Sequence, residues 1–447
     1  MMKMGRYRAC NRLVSIVFRR TRLFVGTYIF KGEDMDKTME TLRINEARFR
    51  HHFDTLAKIG KSPEGGLQRS VFSEAHCEVR RWFLERGNEA GLATKIDGAG
   101  NHSIVLSCGQ AGAKTLLLGS HLDAVPNGGQ YDGALGVLAG LEALLSIKDA
   151  GLPLSLNVEA IDFTDEEGIY LALLGSRALT GLLTLEQLHS PRGDRHAFEA
   201  AYQKAGLTEQ SIFQAKRDPD TLAGYLELHI EQGGRLIDAE QDLGIVTGIV
   251  GIRSYRIRFK GRANHAGTTP MDKRFDAALG ASAFTLAARD ISMQEFPGSV
   301  VNVGNMIFDP GVFNIVPELV TLSLECRTDT LSELDNLEAR LLESASHEAE
   351  RFGLEIDIQL VGKVAPAPMS EDIQQALVEA GQRLGLRQMK MTSGAGHDAQ
   401  SMATVCPTGM IFVPSVEGIS HAPQEFTEWK DCVNGANVLL QTVIALI

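Results

Sequence analysis

Four short segments of the chain hold histidine or carboxylate residues at close spacing. They occupy residues 119–132, 164–168, 227–233 and 420–425. Together they supply three histidines and several carboxylates, the mixture of ligands that borderline divalent metals such as zinc prefer. One His-x-Asp pair is common by chance, but four such segments, each close behind an apolar run, predict a metal site.

The apolar runs ahead of these segments are typical of buried strands in a largely parallel sheet. They lie at residues 115–118, 156–163, 225–228 and 410–413. In open α/β sheets, sites form outside the carboxyl ends of the strands, so we expect the four segments to meet on one rim. Residues 133–145 are rich in Ala, Leu and Gly and predict a buried helix that starts just after Asp132.

The ligands divide naturally between two metal ions. Two ions about 3.5–4 Å apart need a carboxylate that binds both, and Asp132, alone on its loop, is the natural candidate. His121 and His229 would complete one metal site. Glu167 and His421 would complete the other.

Two further carboxylates beside these ligands have other predicted roles. Asp123, two residues from His121, is placed to accept the free ring N–H of that histidine, which would fix its tautomer. Glu166 would remain unligated and take a proton from a metal-activated water. Any one of the three histidines, taken alone, is more often a structural loop or core residue, so this interpretation depends on the complete set.

With these segments the chain resembles a group of metal-dependent amidohydrolases that includes N-carbamoyl-L-amino acid hydrolases, allantoate amidohydrolases and β-ureidopropionase. The group is related to aminoacylase and the di-zinc carboxypeptidases. The resemblance runs from about Leu42 to the C-terminus, and its most specific motifs are His-Ile-Glu-Gln-Gly at 229–233 and Gly-Arg-Ala-Asn-His-Ala-Gly-Thr-Thr-Pro at 261–270. It implies two divalent ions per subunit (zinc, manganese, cobalt or nickel), Glu166 as general base, and as metal ligands His121, Asp132, Glu167, His229 and His421.

A second domain is predicted from periodicity. Strand-like alternation around 255–260, 300–307, 320–327 and 354–360, with helical stretches at 272–290 and 334–345, gives the order βαββαβ of a ferredoxin-like unit. The predicted fold is therefore α/β, with a discontinuous catalytic domain at 35–248 and 364–447 and an inserted domain at 249–363. The resemblance implies that this insert is a lid and dimerisation module, and hence that the protein is a homodimer.

Substrate-binding residues are predicted mainly from the same resemblance. Arg327 lies on the polar face of its strand and suits bidentate recognition of a carboxylate, although a solvated strand arginine is the alternative. The resemblance assigns Asn314 and Arg327 to the substrate carboxylate and His265 to the oxyanion, with His265 acting in the same or the partner subunit. It further suggests backbone approach at Gly396 and a weaker substrate contact by Gln232.

The chain departs from the group in one place. Many members carry an Arg-Phe pair soon after the Glu-Glu-Gly motif, whereas residues 168–177 here are shorter and lack that arginine. The metal ligands are unaffected by this difference. The substrate preference is the property that it puts in question.

Composition indicates a globular enzyme. With 447 residues the chain can bury a large core, and a net charge of −12 argues against nucleic acid as the main partner. Its six cysteines lie far apart without Cys-x-x-Cys pairs, which predicts a reducing, cytoplasmic location.

The N-terminal extension, residues 1–34, differs from the rest. Its first 31 residues hold eight Lys or Arg and no acidic residue, and arginines interrupt its apolar stretches so that no membrane span fits. Such a segment is typical of a mitochondrial transit peptide, or it precedes the true start at Met35. We favour the second interpretation.

The sequence thus predicts a hydrolase of ureido or amide C–N bonds in a small carboxylate-bearing substrate. Hydrolysis of N-carbamoyl-L-amino acids is the first choice, allantoate hydrolysis the second, and β-ureidopropionate, peptide or acyl-amino-acid cleavage the third. A metal-stabilised binding protein without catalysis is the alternative from another class, and the presence of Glu166 beside a full ligand set argues against it.

Overall fold

The computed structural model describes residues 39–447. The predicted N-terminal extension, residues 1–34, lies outside this range. Leu42–Ile447 is one compact unit. Within the described chain, no helix is both long enough and apolar enough to cross a bilayer.

The described strands, in chain order, are β1 (Ala93–Ile96), β2 (His102–Leu106), β3 (Thr115–His121), β4 (Asn157–Phe163), β5 (Leu222–Ile230), β6 (Leu243–Ile249), β7 (Gly251–Lys260), β8 (Asn264–His265), β9 (Val300–Asp309), β10 (Ile315–Val316), β11 (Leu319–Thr328), β12 (Glu355–Val364), β13 (Ala367–Pro368), β14 (Gln388–Ser393) and β15 (Thr408–Val413). The α-helices beyond Leu42 are α1 (Glu46–Leu56), α2 (Glu74–Glu89), α3 (Ala134–Asp149), α4 (Leu174–Thr180), α5 (Leu185–His189), α6 (Arg195–Lys204), α7 (Glu209–Gln214), α8 (Arg235–Asp238), α9 (Ala277–Glu295), α10 (Leu331–Arg351), α11 (Glu371–Arg383), α12 (Asp398–Met402) and α13 (Trp429–Leu446).

The larger sheet has the strand order β1-β2-β4-β3-β5-β15-β6-β13, with β14 also paired to β6. Its four central strands, β4, β3, β5 and β15, are mutually parallel. These are the four strands predicted ahead of the histidine and carboxylate segments. Because parallel strands end on the same edge, the predicted common rim is confirmed.

Helix α3 covers this sheet at the predicted position. It is buried along almost its whole length, as its run of Ala, Leu and Gly requires. Gly133 precedes it with φ +63°, in the region that favours glycine. A Cβ at Gly133 would lie 2.4 Å from Cε1 of His121, so this glycine also gives the histidine ring its space.

The second sheet has four strands in the order β12-β7-β11-β9, all antiparallel. Its elements succeed one another as β7, α9, β9, β11, α10 and β12, the predicted βαββαβ succession. The buried residues of β7 and β11 alternate along each strand and pack against α9 and α10 in a core of their own.

The first helix of this unit starts and ends five residues later in the chain than predicted. The expected helix at 272–290 is α9, Ala277–Glu295. A short 3-10 turn, Met271–Lys273, follows Pro270, and the side chain of Asp276 then caps α9 by accepting a hydrogen bond from the Ala278 N–H at 3.0 Å. An Asp cap satisfies an unpaired N–H of the first turn, which places the start of the helix after Asp276.

A buried ion pair beneath the rim gives a test of the fold. Arg80 Nε lies 2.6 Å from Asp162 Oδ2, and the other oxygen of Asp162 accepts the Leu122 N–H at 2.7 Å. Removing one partner of a buried pair leaves an uncompensated charge, so Arg80→Ala should lower the free energy of unfolding by about 3–5 kcal/mol. Urea unfolding would measure this loss.

The matched control is Arg289→Ala, which removes an arginine from the exposed Arg289–Asp290 pair. Its free energy of unfolding should change by less than about 1 kcal/mol. Equal effects of the two substitutions would show that the Arg80 pair does not support the rim.

Candidate metal centre

The five predicted metal ligands converge on the rim of the larger sheet. His121 is the last residue of β3, and His229 is the penultimate residue of β5. Glu167 follows β4, Asp132 lies in the loop ahead of α3, and His421 follows β15 with a φ of 56°. The tertiary structure therefore brings together residues that are up to 300 positions apart in the sequence, as predicted.

Their side chains form two groups that share Asp132. In the first, Asp132 Oδ1 lies 3.5 Å from His121 Nε2 and 3.1 Å from His229 Nε2. In the second, His421 Nε2 lies 3.3 Å from Asp132 Oδ2 and 3.6 Å from Glu167 Oε2. Each oxygen of one carboxylate thus faces a different group, the arrangement that a carboxylate between two metal ions requires.

The imidazole orientations also suit metal binding. Nδ1 of His121 lies 3.0 Å from the Asp123 carbonyl, and Nδ1 of His229 lies 2.9 Å from the Ile230 carbonyl. A carbonyl can only accept, so in each ring Nδ1 carries a hydrogen, and Nε2, which faces Asp132, is the nitrogen available to a metal. Histidine nitrogens and carboxylate oxygens in this set fit zinc, manganese, cobalt or nickel.

The predicted partner of His121 was wrong in one detail. It is the backbone carbonyl of Asp123 that lies next to Nδ1, while the nearer carboxylate oxygen is 3.7 Å away. The Asp123 carboxylate instead accepts the N–H groups of Glu166 and Glu167, both at 3.3 Å. Spacing alone favoured the carboxylate because it cannot show that the chain turns sharply enough for the carbonyl to reach the ring.

Glu166 lies beside the first group without belonging to it. Its Oε2 is 3.5 Å from His121 Nε2. Burial raises the pKa of Glu166 well above its usual range, opposed by His121 and reinforced by the nearby Asp398 and Glu167. A carboxyl group with this position and raised proton affinity is suited to proton transfer.

Gln232 occupies a more central place than a peripheral substrate contact. Its Nε2 donates to Asp132 Oδ2 at 2.8 Å and lies 3.4 Å from His421 Nε2. The residue has a φ of 57°, and its backbone N–H donates to Ser415 Oγ at 3.0 Å. The side chain is therefore held directly over the second group.

Two residues that support Asp132 had no role in the sequence-based prediction. Glu425 Oε1 accepts the N–H groups of Tyr131 and Asp132 at 2.9 and 3.0 Å. Ser420 Oγ lies 3.0 Å from Asp132 Oδ2 and 2.9 Å from Glu425 Oε2. Their position in the His421 segment was a signal, but the sequence could not show that this segment reaches the Asp132 loop.

His265 and Asn314 are surface residues of the second sheet's part of the chain. Both are exposed, on a small ribbon in which His265 of β8 pairs with Ile315 of β10. The ring Nδ1 of His265 accepts the Gly267 N–H at 3.1 Å. Among the described residues, no hydrogen bond or ion pair joins His265 or Asn314 to the five candidate ligands.

Arg327 is linked to the centre through one loop. Its Nη1 donates to the Gly394 carbonyl at 2.7 Å, two residues before the exposed Gly396. The next residue, His397, packs its ring edge-on against His229, with ring centroids 4.4 Å apart. The loop at 393–397 therefore connects the end of β11 to the first ligand group.

The shortened segment after Glu167 is tightly held. Asp165, at a φ of 54°, accepts the N–H groups of Ile169, Tyr170 and Leu171 through its carboxylate. Tyr170 stacks on Phe198, with ring centroids 5.0 Å apart. The segment that was predicted to lack the arginine of the amidohydrolase group is thus a half-buried apolar turn at 169–171.

The sequence model of the Peptidase family M20/M25/M40 matches residues 117–445, a span that contains all five candidate ligands. The chain belongs to this family. An N-carbamoyl-L-amino acid amidohydrolase of Geobacillus stearothermophilus is 36% identical over 390 residues, 87% of this chain and 95% of the relative. Allantoate amidohydrolase of Bacillus subtilis is 32% identical, covering 88% of this chain and 96% of the relative.

The fold is also similar to that of a solved structure from the same group of amidases. The hydantoinase/carbamoylase family amidase of Burkholderia multivorans superposes with a TM-score of 0.81 at 33% identity, covering 91% of this chain and 98% of that one. The predicted resemblance to this amidohydrolase group, and the prediction that the chain is an enzyme of that type, are confirmed.

The protonation of His421 makes metal binding pH-dependent. The hydrogen bond to Asp132 raises the pKa of His421 to about 9, so its ring is protonated at pH 7.5 in the metal-free protein. Burial lowers the pKa of His121 and of His229, but the facing carboxylates outweigh it and raise both. A metal needs neutral rings, so binding at pH 7.5 should release protons from these histidines, and affinity should rise by about tenfold per pH unit for each proton released. Calorimetric titration with Mn²⁺ in buffers of different ionisation enthalpy would count the protons.

The raised pKa of His421 also makes the stability of the metal-free protein depend on pH. Because the pKa of His421 is raised, its pair with Asp132 stabilises the fold at pH values below the ordinary histidine pKa. This stabilisation is lost as pH rises through about 9.

The control for the metal titration is His189→Ala, which removes a histidine paired with Glu209 outside the centre and should leave proton release unchanged. Binding enthalpies that do not depend on the buffer would contradict the assignment of these protonated histidines as metal ligands.

Proposed function

We propose that the protein hydrolyses the ureido C–N bond of N-carbamoyl-L-amino acids, releasing the amino acid, ammonia and carbon dioxide. The observation that carries this proposal is the pair of ligand groups sharing Asp132, with the unligated Glu166 beside them. The amidohydrolases that resemble the chain over most of its length support the same reaction class.

The proposed mechanism divides the work among the residues of the centre. Two divalent ions, held by the groups around Asp132, would polarise the carbonyl and acidify water. Glu166 takes the proton of the attacking water and later passes it to the leaving nitrogen. His265 stabilises the oxyanion, a contribution for which loss of one donor typically costs about 10²–10³ in rate.

Substrate recognition is assigned to residues around this centre. Arg327 and Asn314 would bind the substrate carboxylate, with Arg327 already held at the loop that leads to the first ligand group. Backbone at Gly396 and the side chain of Gln232 would contact the ureido group.

We propose further that residues 249–363 are a ferredoxin-like lid and dimerisation domain inserted into a catalytic domain formed by 35–248 and 364–447. The separate core of the four-stranded sheet supports this division. The exposed ribbon with His265 and Asn314, which lacks bonds to the candidate ligands within the described chain, supports a homodimer in which these residues serve the partner's centre.

We also propose that the protein works in the reducing cytoplasm. Its five described cysteines are free.

Allantoate hydrolysis is the second candidate. The similarity to an allantoate amidohydrolase and the altered turn after Glu167 both favour testing it. Cleavage of β-ureidopropionate, peptides or acyl amino acids would use the same centre and ranks third. A binding protein without turnover would have no need for Glu166 beside a complete ligand set.

An ammonia-release screen tests the proposed function. The manganese-loaded protein is assayed with N-carbamoyl-L- and D-amino acids, allantoate and β-ureidopropionate, and with N-acetyl amino acids by release of the free amino acid. We expect the highest kcat/KM for an N-carbamoyl-L-amino acid, loss of turnover on chelation, and recovery on adding metal. Highest activity on allantoate would establish the second candidate, and undiminished activity of a protein shown to be metal-free would refute the mechanism.

The two adjacent glutamates separate proton transfer from metal binding. Glu166→Gln keeps size and polarity but removes the base, so its metal content should match the parent while kcat falls by about 10²–10⁴. Glu167→Gln removes a ligand charge, so it should contain less metal and recover partly at high metal concentration. Metal analysis beside kinetics measures both, and the reverse pattern would exchange the two roles.

A further inference from the structure

Arg327 is held by a carboxylate of its own strand. Glu325 Oε1 lies 2.8 Å from Arg327 Nε and 2.7 Å from Nη2. Residues two apart on a strand share a face, so this pair lies on the polar face of β11, opposite the face packed against α9 and α10. The other Glu325 oxygen lies 3.3 Å from Ser254 Oγ on the neighbouring strand β7, which braces the carboxylate from behind.

The contacts of Arg327 leave a defined part of its guanidinium free. A guanidinium has five N–H donors in a rigid plane. Glu325 engages Nε and one N–H of Nη2, and the Gly394 carbonyl takes one N–H of Nη1. One N–H on each terminal nitrogen remains, and such a pair of donors binds a carboxylate in bidentate fashion.

We propose that Glu325 is a positioning residue that orients Arg327 toward the substrate carboxylate and thereby selects carboxylate-bearing over neutral ureido substrates. This inference rests on the proposed function, in which Arg327 binds that carboxylate. An arginine on a strand has several rotatable bonds, and fixing its plane before binding reduces the ordering cost that the substrate must meet. Glu325 acts on the substrate through Arg327 alone.

The negative charge of Glu325 affects substrate binding in the direction opposite to its orienting effect on Arg327. Glu325 also neutralises the positive charge of Arg327, so if it competed with the substrate, its removal would tighten binding. We expect the orienting effect to outweigh the competition for charge, because Glu325 occupies the Nε side of the guanidinium and leaves a donor on each terminal nitrogen. The direction of the change in KM therefore decides between the two effects.

The test compares Glu325→Ala, Glu325→Gln and Arg327→Ala on N-carbamoyl-L-methionine and its carboxamide. Glu325→Ala should raise KM for the acid by about tenfold, with kcat within about threefold and the carboxamide unaffected, since only the charged pair is disturbed. Glu325→Gln retains an acceptor oxygen for the guanidinium and should stay within about threefold of the parent. Arg327→Ala should abolish the preference for the acid over the carboxamide.

The matched control is Asp357→Ala. Asp357 pairs with Arg258 at 3.0 Å, and Arg258 lies on the same face of β7 as Ser254. Its removal deletes a carboxylate from a comparable half-exposed ion pair without touching Arg327, so KM should not change. Thermal unfolding of all variants separates loss of fold from loss of recognition.

Three kinetic results would overturn the proposal: a lower KM in Glu325→Ala, an equal loss on acid and carboxamide, or a Glu325→Gln variant as impaired as Glu325→Ala. If the parent hydrolyses neither substrate, the proposed function fails for them, and crystal structures of the parent and Glu325→Ala decide the positioning separately. Displacement of the Arg327 guanidinium from Gly394 would support it, and an unmoved guanidinium would overturn it.

Discussion

Both candidate ligand groups depend on the position of the Asp132 carboxylate. Three imidazole nitrogens face its two oxygens from β3, β5 and the segment after β15. Its backbone is fixed by Glu425, and Gly133 turns the chain directly into α3 at a positive φ. A shift of this one side chain would separate the two ligand groups, because each group uses one of its oxygens.

Beneath the rim, the fold holds several carboxylates in a region where charge is costly to bury. Asp162 is compensated directly by Arg80, and its other oxygen fixes the backbone beyond His121. Arg69 is also fully buried, and burial lowers its pKa to about 10 despite the nearby Asp162, Asp123 and Glu425. These arginines offset negative charge below the centre while leaving the ligands above them directed toward the rim.

The four-stranded sheet contributes recognition residues of two kinds. Arg327 is anchored to the loop that packs on His229, so its position is fixed relative to the first ligand group in the same chain. His265 and Asn314 project from an exposed ribbon. The proposed enzyme therefore combines a rigid metal centre with recognition groups whose arrangement depends on the second sheet.

The sequence by itself determined the reaction class, the five candidate ligands and the order of the main elements. The ligands and the elements follow because apolar runs of strand length end at histidines and carboxylates, and parallel strands end on one edge. The reaction class follows from the resemblance carried by the motifs at 229–233 and 261–270. The tertiary structure alone decided which atoms meet: the carbonyl of Asp123 rather than its carboxylate at His121, and Gln232 and Glu425 at Asp132. Such contacts depend on backbone turns and on pairings across hundreds of residues, for which periodicity and spacing along the chain carry no signal.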